Sequence, residues 1–337
     1  MSKRSRSCGV ASAFALTESV LAGALAIILF VSAAPSAAQT YPSKPVRFVV
    51  PFSPGGSSDI LARTIAIPLE RQWRQTVVID NRGGGGTLVG TQLASRAASD
   101  GYTLLITNIA YTLVPSVHAE QGFEATQRLR GVVQLVSQPT VIAAHPTVTA
   151  KTVAQLVDYA RAKPGAINFG SSGVGSVGHL AGEMLKQKTG IDITHVPYKG
   201  GAPAAVDTIS GLTQLVIVGL PTTFAHVKAG RLKLLAVTDP RRAAAIPDVP
   251  TVSESGIPGY SVSNWVGVLA PAGLSAALVQ RLNADINASL KAGDTGTRLE
   301  AQGFELVGGD AAKFDQFISH EIRQWTAVVK KAGITSL

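Results

Sequence analysis

An apolar run at Val46–Val50 leads into Pro51-Phe52-Ser53-Pro54-Gly55-Gly56-Ser57-Ser58-Asp59, and a helical pattern starts at Ile60. The order strand, tight glycine turn, helix aims backbone N–H groups outward at the positive end of a helix dipole, a ready site for a carboxylate or phosphate. Strand and helix patterns keep alternating along the chain. Strand patterns fall at Val46–Val50, Val77–Ile79, Thr103–Thr107, Val132–Val136, Ile167–Gly170, Ile193–Pro197, Leu215–Val218, Leu232–Thr238 and Val262–Ala270. Thr152-Val153-Ala154-Gln155 reads as a capping box ahead of Val153, Leu156, Val157 and Ala160 on one helix face. Further helical faces are marked by Leu180, Met184 and Leu185, by Leu278, Leu282, Ile286 and Leu290, and by a stripe from Phe314 to Val329. Such alternation predicts an α/β protein with mostly parallel sheets. Pro68 interrupts the helical pattern from Ile60 and predicts a kink or an end near Ile67. The run Gly83-Gly84-Gly85-Gly86 predicts a turn that needs unusual backbone angles.

The first 38 residues read as a targeting segment rather than as part of the fold. Lys3, Arg4 and Arg6 make a basic start, Val20–Ala33 is an uncharged apolar run, and Ser36-Ala37-Ala38 suits signal peptidase cleavage before Gln39. The run is short for a bilayer span, which takes about 20 residues. Cys8, the sole cysteine of the chain, lies in this segment, so the mature chain has neither a disulfide nor a thiolate metal site. What is left, 337 − 38 = 299 residues, suffices for two domains held by their cores. Its net charge is 27 − 20 = +7, spread without any block of five like charges. Nucleic-acid binding asks for a clustered basic patch with exposed aromatics, and the pattern offers neither. A modest positive field does favour small anions.

The usual catalytic and metal patterns fail. The six histidines, His118, His145, His179, His195, His226 and His320, form no H-E-x-x-H or other close ligand pair. No serine sits in a G-x-S-x-G elbow, and the four-glycine run lacks the lysine of a phosphate loop. Gly173-Val174-Gly175-Ser176-Val177-Gly178 matches G-x-G-x-x-G between a strand and a helix. The next strand, however, ends in Tyr198 and Lys199 instead of the acid that a dinucleotide ribose needs. Those glycines serve equally well to bring N–H groups to a carboxylate. Two anion-friendly turns therefore stand at 51–59 and 170–179, with Asn108 ending a third strand. Helix N-termini contribute about 0.3–1 kcal/mol each when exposed, whereas micromolar binding needs about 8 kcal/mol, so direct and water-mediated hydrogen bonds must do most of the work. Asp59 reads as a cap of its own helix more than as an anion contact. His179 reads either as a ligand group or as a partner for local backbone, and Trp265 as hinge or core packing.

At these residues the chain resembles the tripartite tricarboxylate transporter substrate-binding proteins, or Bug receptors. The resemblance is carried by residues 41–47 (Tyr41-Pro42-Ser43-Lys44-Pro45-Val46-Arg47), 50–59, 100–105 (Asp100-Gly101-Tyr102-Thr103-Leu104-Leu105), 169–179, 195–200, 235–238 and 246–251, in order along the mature chain. It implies a two-lobed periplasmic binding protein of the second type, with two crossover strands as hinge near Gln138–His145 and Val262–Val268. Lobe 1 would be residues 41–138 plus 266–337, and lobe 2 residues 139–265. The ligand implied is a small organic carboxylate held between Gly55, Gly56, Ser57, Ser58 and Asn108 on one side and Ser171, Ser172, Gly175 and His179 on the other. Two departures stand out: Gly219 replaces the Asp or Asn common before Leu220-Pro221, and Gly83 replaces a proline after Asn81-Arg82.

The resulting expectation is a periplasmic receptor, monomeric, without cofactor or metal and without enzymatic activity, that closes on a carboxylate and presents it to membrane transporter subunits. Two other readings stay open. One is an orphan receptor signalling to a sensor kinase. The other is an exported α/β enzyme acting on a carboxylate, for which His179 near Ser171, Ser172 or Ser176 is the sole candidate constellation.

Overall fold

The computed structural model describes residues 41–332, so the targeting segment and Cys8 lie outside the described residues. Among the described residues eleven strands are formed: β1 Val46–Val50, β2 Val77–Asn81, β3 Thr103–Asn108, β4 Leu129–Ser137, β5 Thr140–Ala144, β6 Asn168–Ser171, β7 Thr194–Pro197, β8 Leu215–Gly219, β9 Lys233–Val237, β10 Trp265–Pro271 and β11 Glu305–Leu306. The α-helices are α1 Ser57–Trp73, α2 Leu88–Ser95, α3 Ala110–Val117, α4 Ala119–Gln127, α5 Val153–Ala162, α6 Val177–Thr189, α7 Gly201–Ile209, α8 Leu220–Lys228, α9 Ala276–Lys291, α10 Thr295–Ala301 and α11 Ala311–Ala332.

The strands form two sheets. One is six-stranded, in the order β11-β4-β10-β3-β1-β2, and the other five-stranded, in the order β7-β6-β8-β5-β9. The chain passes from the first sheet to the second through Gln138-Pro139, between β4 and β5, and returns between β9 and β10. The two crossings lie side by side: the Gln138 N–H donates to the Asn264 carbonyl at 3.0 Å, and the Thr238 N–H to the Thr140 carbonyl at 2.8 Å. The described residues from Lys44 onward belong to one compact unit.

The sheets are mixed, which corrects the expectation of mostly parallel pairing. β1 runs parallel to β2 and β3, and β6 parallel to β7 and β8. β10 runs antiparallel to β3 and β4, and β5 antiparallel to β8 and β9. The strands that join the sheets enter them from the hinge side, against the direction set by the strand–turn–helix units. Single-strand patterning carries no information on that direction.

Pro68 does not end its helix; α1 runs through to Trp73. The proline forfeits one backbone bond, but Leu61, Ile65, Leu69 and Trp73 bury a continuous face, and apolar burial of about 1.5–3 kcal/mol per large side chain outweighs that loss. The capping box at α5 is formed with a shift. Thr152 Oγ1 accepts the Gln155 N–H at 3.2 Å, while the Gln155 side chain takes the Lys151 N–H at 2.8 Å. Trp265 is core: it meets Phe314 edge-on at 5.4 Å and 85°. Of the G-x-G-x-x-G glycines, Gly173 and Gly175 take positive φ in the turn and Gly178 is a packing device. A Cβ on Gly178 would stand 1.8 Å from the Ile217 carbonyl oxygen, so α6 lies directly on β8.

Candidate ligand-binding site

The two sheets meet over a small cavity of about 20 Å³, the room of a single water. Gly56, Ser57 and Ser58 line it from the first turn, and Asn108 from the end of β3. Ser172, Ser176 and Val177 face them from the turn after β6, with Gly201, Gly219 and Thr222 beside these and Gln138 and Asn264 of the crossings completing the wall. The two turns named from the sequence therefore share one hollow.

Four helices begin at this cavity. α1 starts at Ser57 behind Gly56, α6 at Val177 behind Ser176, α7 at Gly201, and α8 at Leu220 behind Gly219. Each helix start contributes a lining residue. Their positive ends together supply about 1–4 kcal/mol towards an anion. No side chain lining the cavity is charged among the described residues. An anion held here is held by dipoles and hydrogen bonds alone.

The two sides also touch. The Ser57 N–H donates to Thr222 Oγ1 at 3.1 Å, and the Ser57 and Thr222 hydroxyls are 2.8 Å apart. The Ser53 N–H donates to the Lys199 carbonyl at 2.9 Å. The glycine run contributes to this approach: its residues 84–86 take positive φ, and a Cβ on Gly86 would lie 2.5 Å from the Val174 carbonyl oxygen. A second hollow of about 220 Å³ adjoins the first at Ser172, framed by Gly84–Thr87 and His118 on one side and Gly173, Val174 and Lys199 on the other.

Of the candidate residues, Gly56, Ser57, Ser58, Asn108 and Ser172 line the cavity; Gly55, Ser171, Gly175 and His179 stand behind it. The Gly55 N–H is committed to Asp59 Oδ2 at 2.9 Å. Burial works to raise the Asp59 carboxyl, but its bonds to Arg63 and Gly55 outweigh this and hold it below the usual range. Asp59 thus braces the turn and its own helix start. The Asn108 carboxamide oxygen accepts the Ala110 N–H at 2.9 Å, which leaves the NH2 of the same amide as donor.

Behind the cavity, Ser171 is fully buried and its Oγ lies 2.7 Å from His195 Nε2. The Gly173 N–H and the Ser176 hydroxyl also bond to that oxygen, at 3.1 and 3.2 Å. The imidazoles of His179 and His195 stack at 4.2 Å, and Phe169 stacks on His195 at 4.9 Å. Burial, aided by His179 and Lys186, pushes His195 down to about 3. His179 is lowered too, chiefly by burial, and its Nδ1 accepts the Gly175 N–H at 3.2 Å. Both rings are neutral in the physiological range. The serine–histidine pair that forms is Ser171–His195, not one with His179, and it braces the 171–176 turn.

Sequence reasoning missed Gln138, Gly201, Thr222 and Asn264. At Gly219, the departure noted above, the neighbouring side chains occupy the space. A Cβ there would fall 1.6 Å from Gln138 Nε2 and 2.7 Å from Ser57 Oγ. The Gln138 amide fills the space a residue 219 side chain would need.

On the other side of the crossings lies a hollow of about 280 Å³ lined by Pro139, Asp239, Arg241, Arg242, Ser263 and Glu305 among others. Burial, with Glu305 adding to it, pushes the Asp239 carboxyl up to about 7, against the bonds from the Thr140 N–H and Ser263 that pull it down.

Comparison with known proteins agrees with this geometry. Residues 61–334 match the family described as tripartite tricarboxylate transporter family receptor. Protein BugT of Bordetella pertussis is 34% identical over 307 residues, covering 89% of this chain and 93% of that protein. The solved structure of R. palustris Rpa4515 with adipate is 34% identical, with a TM-score of 0.83 over 87% of this chain and 98% of that one. MatC from Rhodopseudomonas palustris with bound malate is 26% identical, with a TM-score of 0.80 over 86% of this chain and all of that one, 100%. Two sheets joined by two crossings, a cavity between them and a match along most of the chain lead to one conclusion: the chain belongs to the tripartite tricarboxylate transporter receptor family and has its two-lobed periplasmic-binding-protein fold.

Proposed function

We propose that this protein is a periplasmic receptor that captures a small organic carboxylate between its two lobes and hands it to a membrane transporter. The observation that carries this reading is the uncharged cavity at which four helices start, two of them behind the glycine- and serine-rich turns. The adipate and malate held by two relatives point to the same ligand class. Lobe 1 is residues 41–138 plus 266–337 and lobe 2 residues 139–265, a division supported by the strand membership of the two sheets. Gly56, Ser57, Ser58, Asn108 and Ser172 contact the ligand. Gly55, Ser171, Gly175 and His179 shape the turns that present those contacts, and Thr222 joins them from α8.

The action is an equilibrium between open and closed lobes, shifted by a ligand that contacts both lobes only when they are closed. With about 20 Å³ in the closed cleft, the lobes must part to admit any carboxylate. No turnover is assigned. Among the described residues no acid is hydrogen-bonded to the buried Ser171–His195 pair, and a histidine held near pKa 3 is a poor base at neutral pH. The protein acts as a monomer after cleavage before Gln39, delivering its load in transient contacts with the transporter. Titration calorimetry against a panel of mono-, di- and tricarboxylates tests the reading. Micromolar or tighter binding of at least one is expected, and silence across the panel overturns it.

A further inference from the structure

We infer that Gln138 sets the specificity of the cleft, selecting carboxylates that carry a hydroxyl beside the acid group and rejecting those that carry an ammonium. The inference rests on the carboxylate-receptor reading above. It starts from what the cleft lacks: among the described residues no carboxylate lines it, and four positive helix ends face into it. An ammonium placed there meets no protein carboxylate and faces four like-signed helix ends, and burying a charge that the protein does not pair is unfavourable.

The second argument is steric. Residue 219, at the end of β8, lines the cleft without a side chain, and Gln138 occupies the space beside it, with Nε2 standing 1.6 Å from where a Cβ would begin. The amide of Gln138 is the group offered in its stead.

The third argument is unmet hydrogen-bonding capacity. Gln138 and Asn264 are each 2% exposed. Gln138 Oε1, an acceptor, and Asn264 Nδ2, a donor, have no hydrogen-bond partner in the structure. They sit on adjacent crossings, tied by the 3.0 Å bond from the Gln138 N–H to the Asn264 carbonyl. Buried polar groups are almost always paired, so two orphans on one wall mark a place where a partner is due. A hydroxyl donates to one and accepts from the other. A methylene serves neither, and an ammonium serves the acceptor while meeting the Asn264 donor head-on.

L-malate, succinate and L-aspartate share a four-carbon diacid skeleton and differ at this one group, so calorimetric titration with the three reads the inference directly. Wild type is expected to bind malate tightest, succinate about 10-fold or more weaker, and aspartate about 100-fold or more weaker, because a site built to bond a hydroxyl discriminates sharply against analogues without it. Gln138→Glu supplies the missing negative charge and narrows the malate-to-aspartate ratio by about 10-fold or more. Gln138→Met, of similar volume and uncharged, collapses the malate advantage over succinate and reads the inference even if the Glu variant fails to fold. Aspartate binding to wild type within about threefold of malate overturns it, as does an unchanged malate-to-succinate ratio in Gln138→Met. Binding of none of the three by wild type also overturns it; a wider carboxylate panel then decides separately whether the receptor reading survives.

Discussion

Two hollows flank the crossings, and they differ in every respect that is usually taken to mark a site. The one between the lobes holds about 20 Å³ and is lined by no charged side chain. The one behind holds about 280 Å³ and is lined by Asp239, Arg241, Arg242 and Glu305. Neighbouring residues of the same crossings serve both: Gln138 and Asn264 in the first, Pro139 and Ser263 in the second. Size and formal charge favour the rear hollow, yet the front one collects four helix starts. One rear arginine already has partners: Arg242 bonds to Glu254 at 2.9 Å and to the Pro247 carbonyl at 3.0 Å. Recognition of an anion needs converging donors more than a nearby cation, and an uncharged wall keeps release easy.

The sharpest way to break this contrast is to block the front hollow alone. Gly219→Val drives a branched side chain into Gln138 and Ser57. Overpacking of this kind costs about 1–3 kcal/mol of stability. Carboxylate affinity in calorimetry should fall about 100-fold or more, because the lobes no longer close. Retained affinity would place the ligand elsewhere.

pH separates the two regions next. The lowered histidines near the front stay neutral in the fold but protonate in the unfolded chain below about 6.5, so their contribution is full above that pH and drains as pH falls towards 3. Asp239 at the rear has the opposite sign. The folded state keeps its proton up to about 7 while the unfolded carboxyl releases it near 4, so this contribution fades as pH rises from about 4 to 7. Between pH 5 and 7 the slopes oppose each other and wild-type stability in urea melts should change little. Asp239→Asn should expose the histidine slope, with stability falling by roughly 1–2 kcal/mol from pH 7 to 5. His195→Gln should expose the aspartate slope, with stability falling by a similar amount from pH 5 to 7. Flat profiles in both variants would refute the assignment.

Smaller still is the effect of single donors. Ser172→Ala and Ser57→Ala each remove one neutral hydroxyl, worth about 0.5–1.5 kcal/mol, so affinity should drop about 3- to 10-fold in titrations. Ser57→Ala also removes the hydroxyl contact with Thr222. Smallest of all is Arg242→Ala in the rear hollow. Its pair with Glu254 is exposed and screened by solvent, and carboxylate affinity should stay within about twofold. A tenfold loss there would join the rear hollow to recognition.

Much of this architecture was legible before any coordinates. The first strand, the turn at 51–59 and the start of α1 are contiguous, so local pattern alone specifies them. The turn after β6 is equally local, and both turns reach the shared cavity. The remaining half of the cavity is built at long range. Gln138, Thr222 and Asn264 are neutral polar residues in unremarkable surroundings, and nothing near them in sequence says that they meet Ser57. The starts of α7 and α8 carry no side-chain cap, so they lack the serine or aspartate signature that announces a helix. Pro68 does not end α1 because a packed face visible only in three dimensions outweighs the propensity rule. His195 was passed over for Ser171 because the partner it needs lies one strand away, in register with Phe169 on the parallel neighbour.

The bond from Ser57 to Thr222 has a kinetic consequence. Since this contact ties the two halves directly, each loading event must wait for the protein to let go of itself. Uptake rates measured at rising solute concentration would then level off at the frequency with which that tie breaks, however abundant the solute. A serine and a threonine, neither of them charged, would thereby set the tempo at which the transporter is fed.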